Sequence, residues 1–331
     1  MSKLKIAIIG GGGIAGIHLP HLAKRDDVEL VGLADLNPAA QETADKFGIA
    51  RFESDYHALL PLADAVMICV PTFLHADIAC ESLRAGKAVF CEKPLARTME
   101  QADAIGAAAR ESGAPLQIGF VRRFDDEWLR WRQLVQADKI GRPVVWHDVA
   151  SNAAPGAWYM QEELGGGPFL DGCIHNIDFA LSAFGAAQWA FCHGHTLGAG
   201  HTAIDTGTAT VHFQSGDELM LSWSWGLPQG CVGARVFEIL GPQGLLRWPE
   251  NKDAEAPHFL IDKGENCEEV SYAAKALPAA FAHQMDEFVA VARRESKPRA
   301  GIKEGRAALQ LALAILQSAR SRQVVQVEEI Q

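Results

Sequence analysis

The sequence predicts an α/β chain: an N-terminal parallel sheet covered by helices, then an α+β region with a large, mostly antiparallel open sheet. Up to residue 121, short apolar runs rich in β-branched residues alternate with helical patterns, which is typical of a parallel sheet. Beyond residue 122, four strand-like stretches follow one another without long helices between them, which is typical of antiparallel pairing. Since 331 residues exceed what one core usually serves, we expect two domains, 1–121 and 122–331.

The first predicted strand, residues 5–9, runs directly into four glycines and then into a helical pattern. Two registers of the dinucleotide fingerprint fit this stretch, Gly10-x-Gly12-x-x-Ala15 and Gly11-x-Gly13-x-x-Gly16. We prefer the first, because Gly10 directly ends the strand. Glycine permits the tight turn and the close approach of a pyrophosphate, and a helix N-terminus offers N–H groups to the anion. The residues expected to contact the dinucleotide in this Rossmann domain are Gly10, Gly12, Gly13, Ile14 and Ala15.

Asp35 ends the second predicted strand, residues 29–34, and indicates which dinucleotide is bound. A carboxylate in this position can accept hydrogen bonds from both ribose hydroxyls of an adenosine, and it would repel a 2′-phosphate. No arginine, lysine or serine that could hold such a phosphate follows at Leu36-Asn37. The sequence therefore favours NAD over NADP, and a solvated aspartate at the end of a strand is the alternative.

Later strand ends should also contribute to the cofactor site, because ligands gather at the carboxyl ends of parallel strands. The predicted strand 63–70 leads into Pro71-Thr-Phe-Leu-His75, and the strand 88–91 leads into Glu92-Lys-Pro94. A helix over 98–112 and a strand over 116–120 complete the alternating pattern. The further residues expected at the cofactor are Pro71, Thr72, His75, Glu92 and Lys93.

Composition argues against several classes of function. A net charge of −11 disfavours a nucleic-acid surface, which needs a basic stripe. No apolar run is long enough to span a bilayer and the N-terminus lacks the apolar segment of a signal peptide, so we expect a cytoplasmic protein without a membrane partner. Seven cysteines without a CxxC pair indicate reduced thiols. The acidic stretch Glu250–Glu255 is expected to be a solvated loop.

His193, His195 and His201 invite a metal interpretation, because alternate strand positions place the first two on one face. Cys192 would point to the opposite face, and no nearby carboxylate completes a ligand set. We therefore expect no metal and regard these histidines as residues of a sheet surface.

The chain resembles the glucose–fructose oxidoreductase, inositol dehydrogenase and rhizopine-catabolism (Gfo/Idh/MocA) family over nearly its whole length. The stretches that carry the resemblance are IGGGGIAGIH (9–18), VPTFLH (70–75), AGKAVFCEKPLA (85–96), RRFD (122–125), GGGPFLDGCIHNID (165–178) and EILGPQGLL (238–246). The EKP and GGG…DxxxHxxD elements are specific in combination. The resemblance implies an NAD(P)-dependent dehydrogenase that acts on a sugar, a cyclitol or a sugar derivative, without a metal.

Oxidising a secondary alcohol requires a group that removes the hydroxyl proton as hydride leaves for nicotinamide C4. A helix predicted over 168–184 would place Asp171, His175 and Asp178 on one face, and a histidine between carboxylates is a poised base. We expect His175 to be the general base, with Asp171 orienting it or binding a hydroxyl, and Asp178 to be structural. Lys93 can hydrogen-bond the substrate hydroxyl and favour its ionised form; the resemblance implies active-site roles for Lys93 and His175.

Arg122, Arg123 and Trp158 are further candidates for substrate contacts, as is Tyr159. Arginine could bind a carboxylate or a ring hydroxyl, and Trp158 could stack on the apolar face of a sugar ring. Each of these residues could instead have a packing role. The residues expected at the substrate are Lys93, Arg122, Arg123, Trp158, Asp171 and His175.

Residues 218–225 alternate between an apolar face, which must pack on helices, and a face that carries Met220, Ser222 and Ser224. A second subunit could cover that second face, so we expect a homodimer or homotetramer through the C-terminal sheet. A two-sided internal core is the alternative.

Two other functions stay open at this point. One is a non-catalytic, NAD-bound regulator that senses sugars. The other is an enzyme with a tightly held, internally recycled cofactor, such as an aldose–ketose oxidoreductase or an NAD-dependent glycosidase.

Overall fold

The structure, a computed structural model, describes residues 2–231, 233, 235–249, 257–274 and 276–331. Contacts within the chain divide it into two compact units, 1–121 with 278–306 and 122–277 with 307–331. The loop expected over Glu250–Glu255 lies outside the described residues.

The first unit is built on a parallel sheet with helices between its strands. Its strands are β1 (Leu4–Ile9), β2 (Val28–Ala34), β3 (Phe52–Glu53), β4 (Ala65–Ile68), β5 (Ala88–Cys91) and β6 (Leu116–Ile118). The helices between them are α1 (Gly13–Leu22), α2 (Gln41–Lys46), α3 (His75–Arg84) and α4 (Met99–Ser112). All strand pairs are parallel, in the order β3-β2-β1-β4-β5-β6. The order reverses between β1 and β4, and in such sheets ligands bind beyond the carboxyl ends of the strands.

The core of the first unit explains why its strands read as apolar runs. Ile6 and Ile8 on β1 are completely buried, as is Met67 on β4, because helices cover both faces of a parallel sheet. Met285 and Phe288 pack into the same core from a later helix, α7 (Ala276–Ala292). Burying each such side chain contributes about 1.5–3 kcal/mol. This packing explains why 278–306 joins the first unit, although the expected boundary assigned everything after 121 to the second.

The second unit contains a nine-stranded mixed sheet. Its strands are β7 (Val145–Ala153), β8 (Ala187–His195), β9 (Thr206–Phe213), β10 (Glu218–Leu227), β11 (Val236–Gly241), β12 (Gly244–Arg247), β13 (His258–Asp262), β14 (Cys267–Ser271) and β15 (Val325–Gln326). Its helices are α5 (Asp126–Gln136), α6 (Ile174–Phe184) and most of α8 (Ile302–Ser321). The order is β14-β13-β12-β11-β7-β10-β9-β8-β15, and every pair except the parallel pair β7/β10 is antiparallel.

The two faces of this sheet differ sharply in burial. On one face, Trp146, Leu221 and Phe213 are completely buried, and Trp131 of α5 packs on Trp146 with ring centroids 4.8 Å apart. We call the opposite face the outer face; it includes His147, Met220, Thr210, Phe191 and Leu240, which the strand register aligns. Of these, Phe191 and Leu240 are exposed and the other three are half-buried.

The prediction of a helix over 168–184 is wrong at its start, since α6 begins only at Ile174. The N–H of Cys173 donates to the Pro168 carbonyl at 2.7 Å, so the chain makes a wide turn before the helix. Gly166 and Gly167, at φ +72° and +80°, set up that turn. Asp171 therefore precedes α6, and helical spacing does not place it on one face with His175. Strand β14 was also missed, because only Val270 in it is buried.

Candidate active site

The glycine turn after β1 brings the backbone of two strands into close contact. Gly10 has φ +93°, and a Cβ at this position would lie 2.6 Å from the Cys69 carbonyl oxygen, so only glycine fits. A Cβ at Gly12 or Gly13 would meet nothing within 4 Å, which leaves open space beside the turn. Helix α1 begins at Gly13, and its N-cap Gly12 has no side chain to occupy the first N–H groups. These N–H groups can donate hydrogen bonds to a pyrophosphate.

The Asp35 carboxylate is fixed beside the glycine turn by two backbone donors. The N–H of Gly11 donates to Oδ2 at 2.7 Å, and the N–H of Asn37 donates to Oδ1 at 2.8 Å. Each carboxylate oxygen can accept a further hydrogen bond. Asp35 is thus held in a position from which it can accept hydrogen bonds from the hydroxyls of a ribose.

A cavity of about 980 Å³ lies at this edge of the sheet. Of the predicted cofactor residues, the cavity wall includes Gly10, Gly12, Asp35 and Pro71. Its wall also contains five carboxylate side chains, and no lysine or arginine of the described residues lines it. These carboxylates are Asp35, Glu42, Asp55, Asp77 and Glu81.

Tyr56, Asp55 and Glu81 at the cavity wall were not singled out from the sequence. The Tyr56 hydroxyl donates to Glu81 at 2.5 Å, and the His57 ring lies 2.7 Å from the same carboxylate and 2.5 Å from Asp55. These residues come from a 3₁₀ segment after β3 and from α3. A short, weakly amphipathic stretch gives no signal that it closes a pocket, which is why sequence reasoning missed them.

His75 links two strand ends of the first unit. Its Nδ1 lies 2.8 Å from the Pro94 carbonyl oxygen and its Nε2 lies 2.9 Å from the Val70 carbonyl oxygen. Both His75 and Thr72 are buried and neither lines the cavity. His75 therefore ties the turn that contains Lys93 to the segment after β4.

Glu92 and His18 form a buried pair next to Lys93. His18 Nε2 lies 2.6 Å from Glu92 Oε1, and the Lys93 backbone N–H donates to Glu92 Oε2 at 3.0 Å. Burial alone would raise the pKa of Glu92, but the hydrogen bond from His18 and the charge of Lys93 outweigh burial and hold that pKa below its usual value. Glu92 is thus a carboxylate at neutral pH.

In the second unit, the glycine segment before α6 is tightly packed. A Cβ on Gly165 would lie 2.5 Å from Cα of Tyr159, and a Cβ on Gly167 would lie 2.5 Å from the Ile204 carbonyl oxygen. Asp171 is 4% exposed, whereas His175 is partly exposed in the first turn of α6. The loop therefore fixes the backbone that carries both residues.

The predicted arginines make ion pairs within the second unit. Arg123 donates from Nε and Nη2 to the two oxygens of Asp178, each at 2.8 Å, and so anchors α6. Arg122 donates to Asp125 at 2.5 Å, and its guanidinium lies 4.9 Å from the ring centroid of Trp128. The rings of Trp158 and Tyr159 stack at 3.8 Å. Asp178 thus has Arg123 as a partner.

Asp148 on β7 is a fully buried carboxylate that the sequence did not reveal. It accepts a hydrogen bond from Asn176, the residue after His175. Burial raises the pKa of Asp148 to about 6, although the charges of Arg235 and Arg122 oppose this shift.

His193 and His195 lie on the outer face with ring centroids 5.0 Å apart, while Cys192 is buried on the other face. Across the described ranges, no three side chains of histidine, cysteine, aspartate or glutamate come together in a way that could hold a metal ion. In the same part of the chain, no helix combines the length and apolar character needed to cross a membrane.

Known proteins match both units. Residues 4–120 match the family model of the Gfo/Idh/MocA oxidoreductases, described as an NAD-binding Rossmann fold, and residues 128–247 match the C-terminal domain model of the same family. The myo-inositol 2-dehydrogenase of Thermotoga maritima is 26% identical over 99% of both chains. The D-glucoside 3-dehydrogenase of Escherichia coli is 32% identical over 68% of this chain and 71% of that protein.

A solved structure, that of apo scyllo-inositol dehydrogenase from Lactobacillus casei, covers 99% of both chains at 24% identity with a TM-score of 0.79. It has the same fold, so the predicted fold class, a Rossmann sheet followed by a mostly antiparallel sheet, is confirmed. From these matches, the chain belongs to the Gfo/Idh/MocA family of oxidoreductases and is an NAD-dependent dehydrogenase.

Proposed function

We propose that this dehydrogenase moves a hydride between NAD and a secondary hydroxyl of a sugar, a cyclitol or a sugar derivative. The observation that carries the proposal is the sheet edge of the first unit, where the glycine turn, the fixed Asp35 carboxylate and Lys93 follow the carboxyl ends of β1, β2 and β5. Relatives that act on inositol and on a glucoside support the substrate class.

Each residue has a defined task in this reaction. NAD, when bound, supplies the acceptor for the hydride that leaves the carbinol carbon. His175 takes the hydroxyl proton as general base, and Lys93 donates a hydrogen bond to the substrate oxygen, which stabilises negative charge there. Asp171 orients His175 or accepts a hydrogen bond from a neighbouring hydroxyl. The alcohol becomes a ketone, and the proton leaves through His175.

The cofactor residues divide into those that bind phosphate and ribose and those that support them. We assign pyrophosphate binding to the turn and helix start that comprise Gly10, Gly12, Gly13, Ile14 and Ala15. We assign ribose binding to Asp35, and the acidic cavity wall supports NAD over NADP, because carboxylates repel a 2′-phosphate. Pro71 lines the same cavity. Thr72, His75 and Glu92 support the turns beside it.

For the substrate, we propose Lys93, Asp171 and His175 as direct contacts, with Trp158 as a stacking surface. Arg123 is paired with Asp178 and Arg122 with Asp125, and each carboxylate offsets much of the charge that the arginine could offer to a substrate. We therefore propose that the main role of the two arginines is to position this part of the second unit.

We also propose the roles of the two parts of the chain: 1–121 binds NAD, and 122–331 binds the substrate and forms a homodimer or homotetramer. The outer face supports the second role, because Phe191, Val236 and Leu240 on it are 38%, 40% and 37% exposed. A cytoplasmic location is supported by the free thiols of all seven cysteines, five of which are buried.

The test is the appearance of reduced nicotinamide across a panel of aldoses, inositols and sugar acids, each with NAD and with NADP. We expect turnover with NAD for at least one polyol. Lys93→Ala and His175→Ala should each lower kcat by about 10²–10⁴-fold with nearly unchanged NAD affinity, because each removes a group that acts on the substrate proton or oxygen. Activity retained in His175→Ala would contradict its role as base.

Silence across the panel with NAD binding intact would favour the sugar-sensing regulator. If the protein instead purifies with stoichiometric nucleotide and releases none, the internally recycled cofactor becomes the better description.

A further inference from the structure

His18 is a buried histidine of the first unit for which the proposed reaction has no use. It lies on α1, the helix that begins at the glycine turn, and it is completely buried between Ala15 and Leu22, which are also buried. Its ring packs edge-on against Phe90 and Phe281, with centroids 5.2 Å and 5.4 Å away. A polar ring in such an apolar cage costs free energy unless its nitrogens have partners.

One nitrogen of His18 has a strong partner and the other has none. Nε2 lies 2.6 Å from Glu92 Oε1, whereas Nδ1 is buried and has no hydrogen-bond partner among the described residues. An N–H at Nδ1 would therefore be unsatisfied, while an N–H at Nε2 makes a charge-assisted hydrogen bond. The geometry thus favours the tautomer in which Nε2 carries the proton and donates to Glu92.

Glu92 in turn holds the backbone of Lys93. Its Oε1 accepts from His18 and its Oε2 accepts from the Lys93 N–H at 3.0 Å, so both oxygens are fixed. A Cβ at position 119 would lie 2.9 Å from Oε2, so the absence of a side chain at Gly119 leaves the space that the carboxylate occupies. His18, Glu92 and the Lys93 N–H form one continuous chain of hydrogen bonds.

We infer that His18 is a positioning residue for Lys93: through Glu92, it fixes the turn that presents the lysine and links that turn to the helix that starts at the glycine turn. This inference rests on the proposed role of Lys93. His18 is completely buried and does not line the cavity, so we expect its contribution to concern the chemical step and not the affinity for NAD. Small displacements of a reacting group lower rates strongly, because catalysis depends on its placement.

Two substitutions separate this role from simple packing. His18→Phe keeps a ring of similar size in a cage that already contains phenylalanines, but it removes the donor to Glu92. His18→Gln retains an N–H donor that can reach Glu92. We expect His18→Phe to lower kcat at least about tenfold with NADH dissociation constants within about twofold of wild type, and His18→Gln to recover most of kcat.

The inference is overturned if His18→Phe keeps wild-type kcat, or if His18→Gln loses as much activity as His18→Phe. If His18→Phe does not fold, Glu92→Gln provides the second variant, since a glutamine cannot accept from both His18 and the Lys93 N–H with separate oxygens. Glu92→Gln should then reproduce the selective loss of kcat, and a wild-type kcat in this variant would equally overturn the inference.

A spectroscopic readout is independent of activity. In protein with ¹⁵N-labelled histidine, the His18 resonances, assigned through His18→Gln, should show the proton on Nε2. A ring that carries its proton on Nδ1 alone, with Nε2 unprotonated, would contradict the proposed chain of hydrogen bonds. Lys93→Ala separates the proposed role of Lys93 from that of His18. If Lys93→Ala remains active, the proposed role of Lys93 fails, whereas an inactive Lys93→Ala with a fully active His18→Phe refutes only the role of His18.

Discussion

Single polar residues within or directly after apolar strands distinguish this chain. Glu92 and Asp148 are buried, whereas Asp35 is half-buried. Asp35 could be predicted as a ligand because it follows a strand next to a glycine fingerprint. Asp148 could not, because a lone aspartate in the stretch VWHDVASNA gives no sign of which face it occupies. Only the register of β7 reveals that it is buried.

The buried Asp148 makes stability depend on pH. Its pKa of about 6 in the folded state lies above the ordinary value of 3.8. Between these values, the folded protein keeps a proton that the unfolded chain has released, so this residue makes the wild type less stable as pH rises through that window. The full effect is at most roughly 3 kcal/mol.

Asp148→Asn removes this titration and retains an oxygen that can accept from Asn176. As pH increases from 4 to 7, we expect the melting temperature of the variant to rise by several degrees relative to that of the wild type. This is the change that a free-energy difference of the size given above would cause. Thermal unfolding at a series of pH values measures this. A constant difference between variant and wild type over that range would show that Asp148 does not titrate there.

Among the secondary-structure elements, several strands were predicted well. Burial on both faces of a strand gives a continuous apolar run in the sequence, and burial on one face gives an alternation of apolar and polar residues. The strand predicted over 88–91 is found unchanged, and that predicted over 188–195 begins one residue earlier. The start of α6 was not predicted, because the chain before it is shaped by glycines with positive φ and by contacts with Tyr159 and Ile204 that no local pattern encodes. The same error led to the wrong geometry for Asp171.

The glycine turn provides a test at this scale that also distinguishes the two fingerprint registers. Gly10→Ala places a Cβ against the Cys69 backbone at a positive φ, so we expect a loss of at least about 2 kcal/mol in stability and of measurable NAD binding. Gly16→Ala is the matched control within α1, where a Cβ meets nothing within 4 Å, and it should stabilise the helix by up to about 1 kcal/mol.

Thermal unfolding and NAD titration of both variants measure the two effects. Loss of NAD affinity in Gly16→Ala with retention in Gly10→Ala would favour the register Gly11-x-Gly13-x-x-Gly16 over the one preferred here.

For the whole molecule, we propose that the outer face is the surface through which the protein assembles. Its centre carries small polar pairs, Thr208–Ser222 at 3.0 Å and Thr206–Ser224 at 2.8 Å, next to Met220. Because these hydroxyl groups hydrogen-bond to one another, few unpaired polar groups would lose contact with water when another surface covers them.

Leu240→Arg places a charge on this face and should weaken self-association by at least about 100-fold, because an interface buries that charge without a partner. Leu62→Arg is the control, since Leu62 in the first unit is similarly exposed at 39% against 37% for Leu240. Sedimentation equilibrium measures the mass of each variant. An oligomer that survives Leu240→Arg, or dissociates equally in Leu62→Arg, would show that assembly does not use the outer face.

The most direct test of the proposed reaction follows the hydride itself. The protein is incubated with NAD and a polyol that carries deuterium on its carbinol carbons, and total nicotinamide nucleotide, free and bound, is recovered for mass spectrometry. Direct hydride transfer predicts reduced nucleotide with one deuterium from the substrate, whether or not the cofactor is released. Reduced nucleotide without deuterium, or no reduction with any polyol of the panel, would contradict a dehydrogenase that acts on secondary hydroxyl groups.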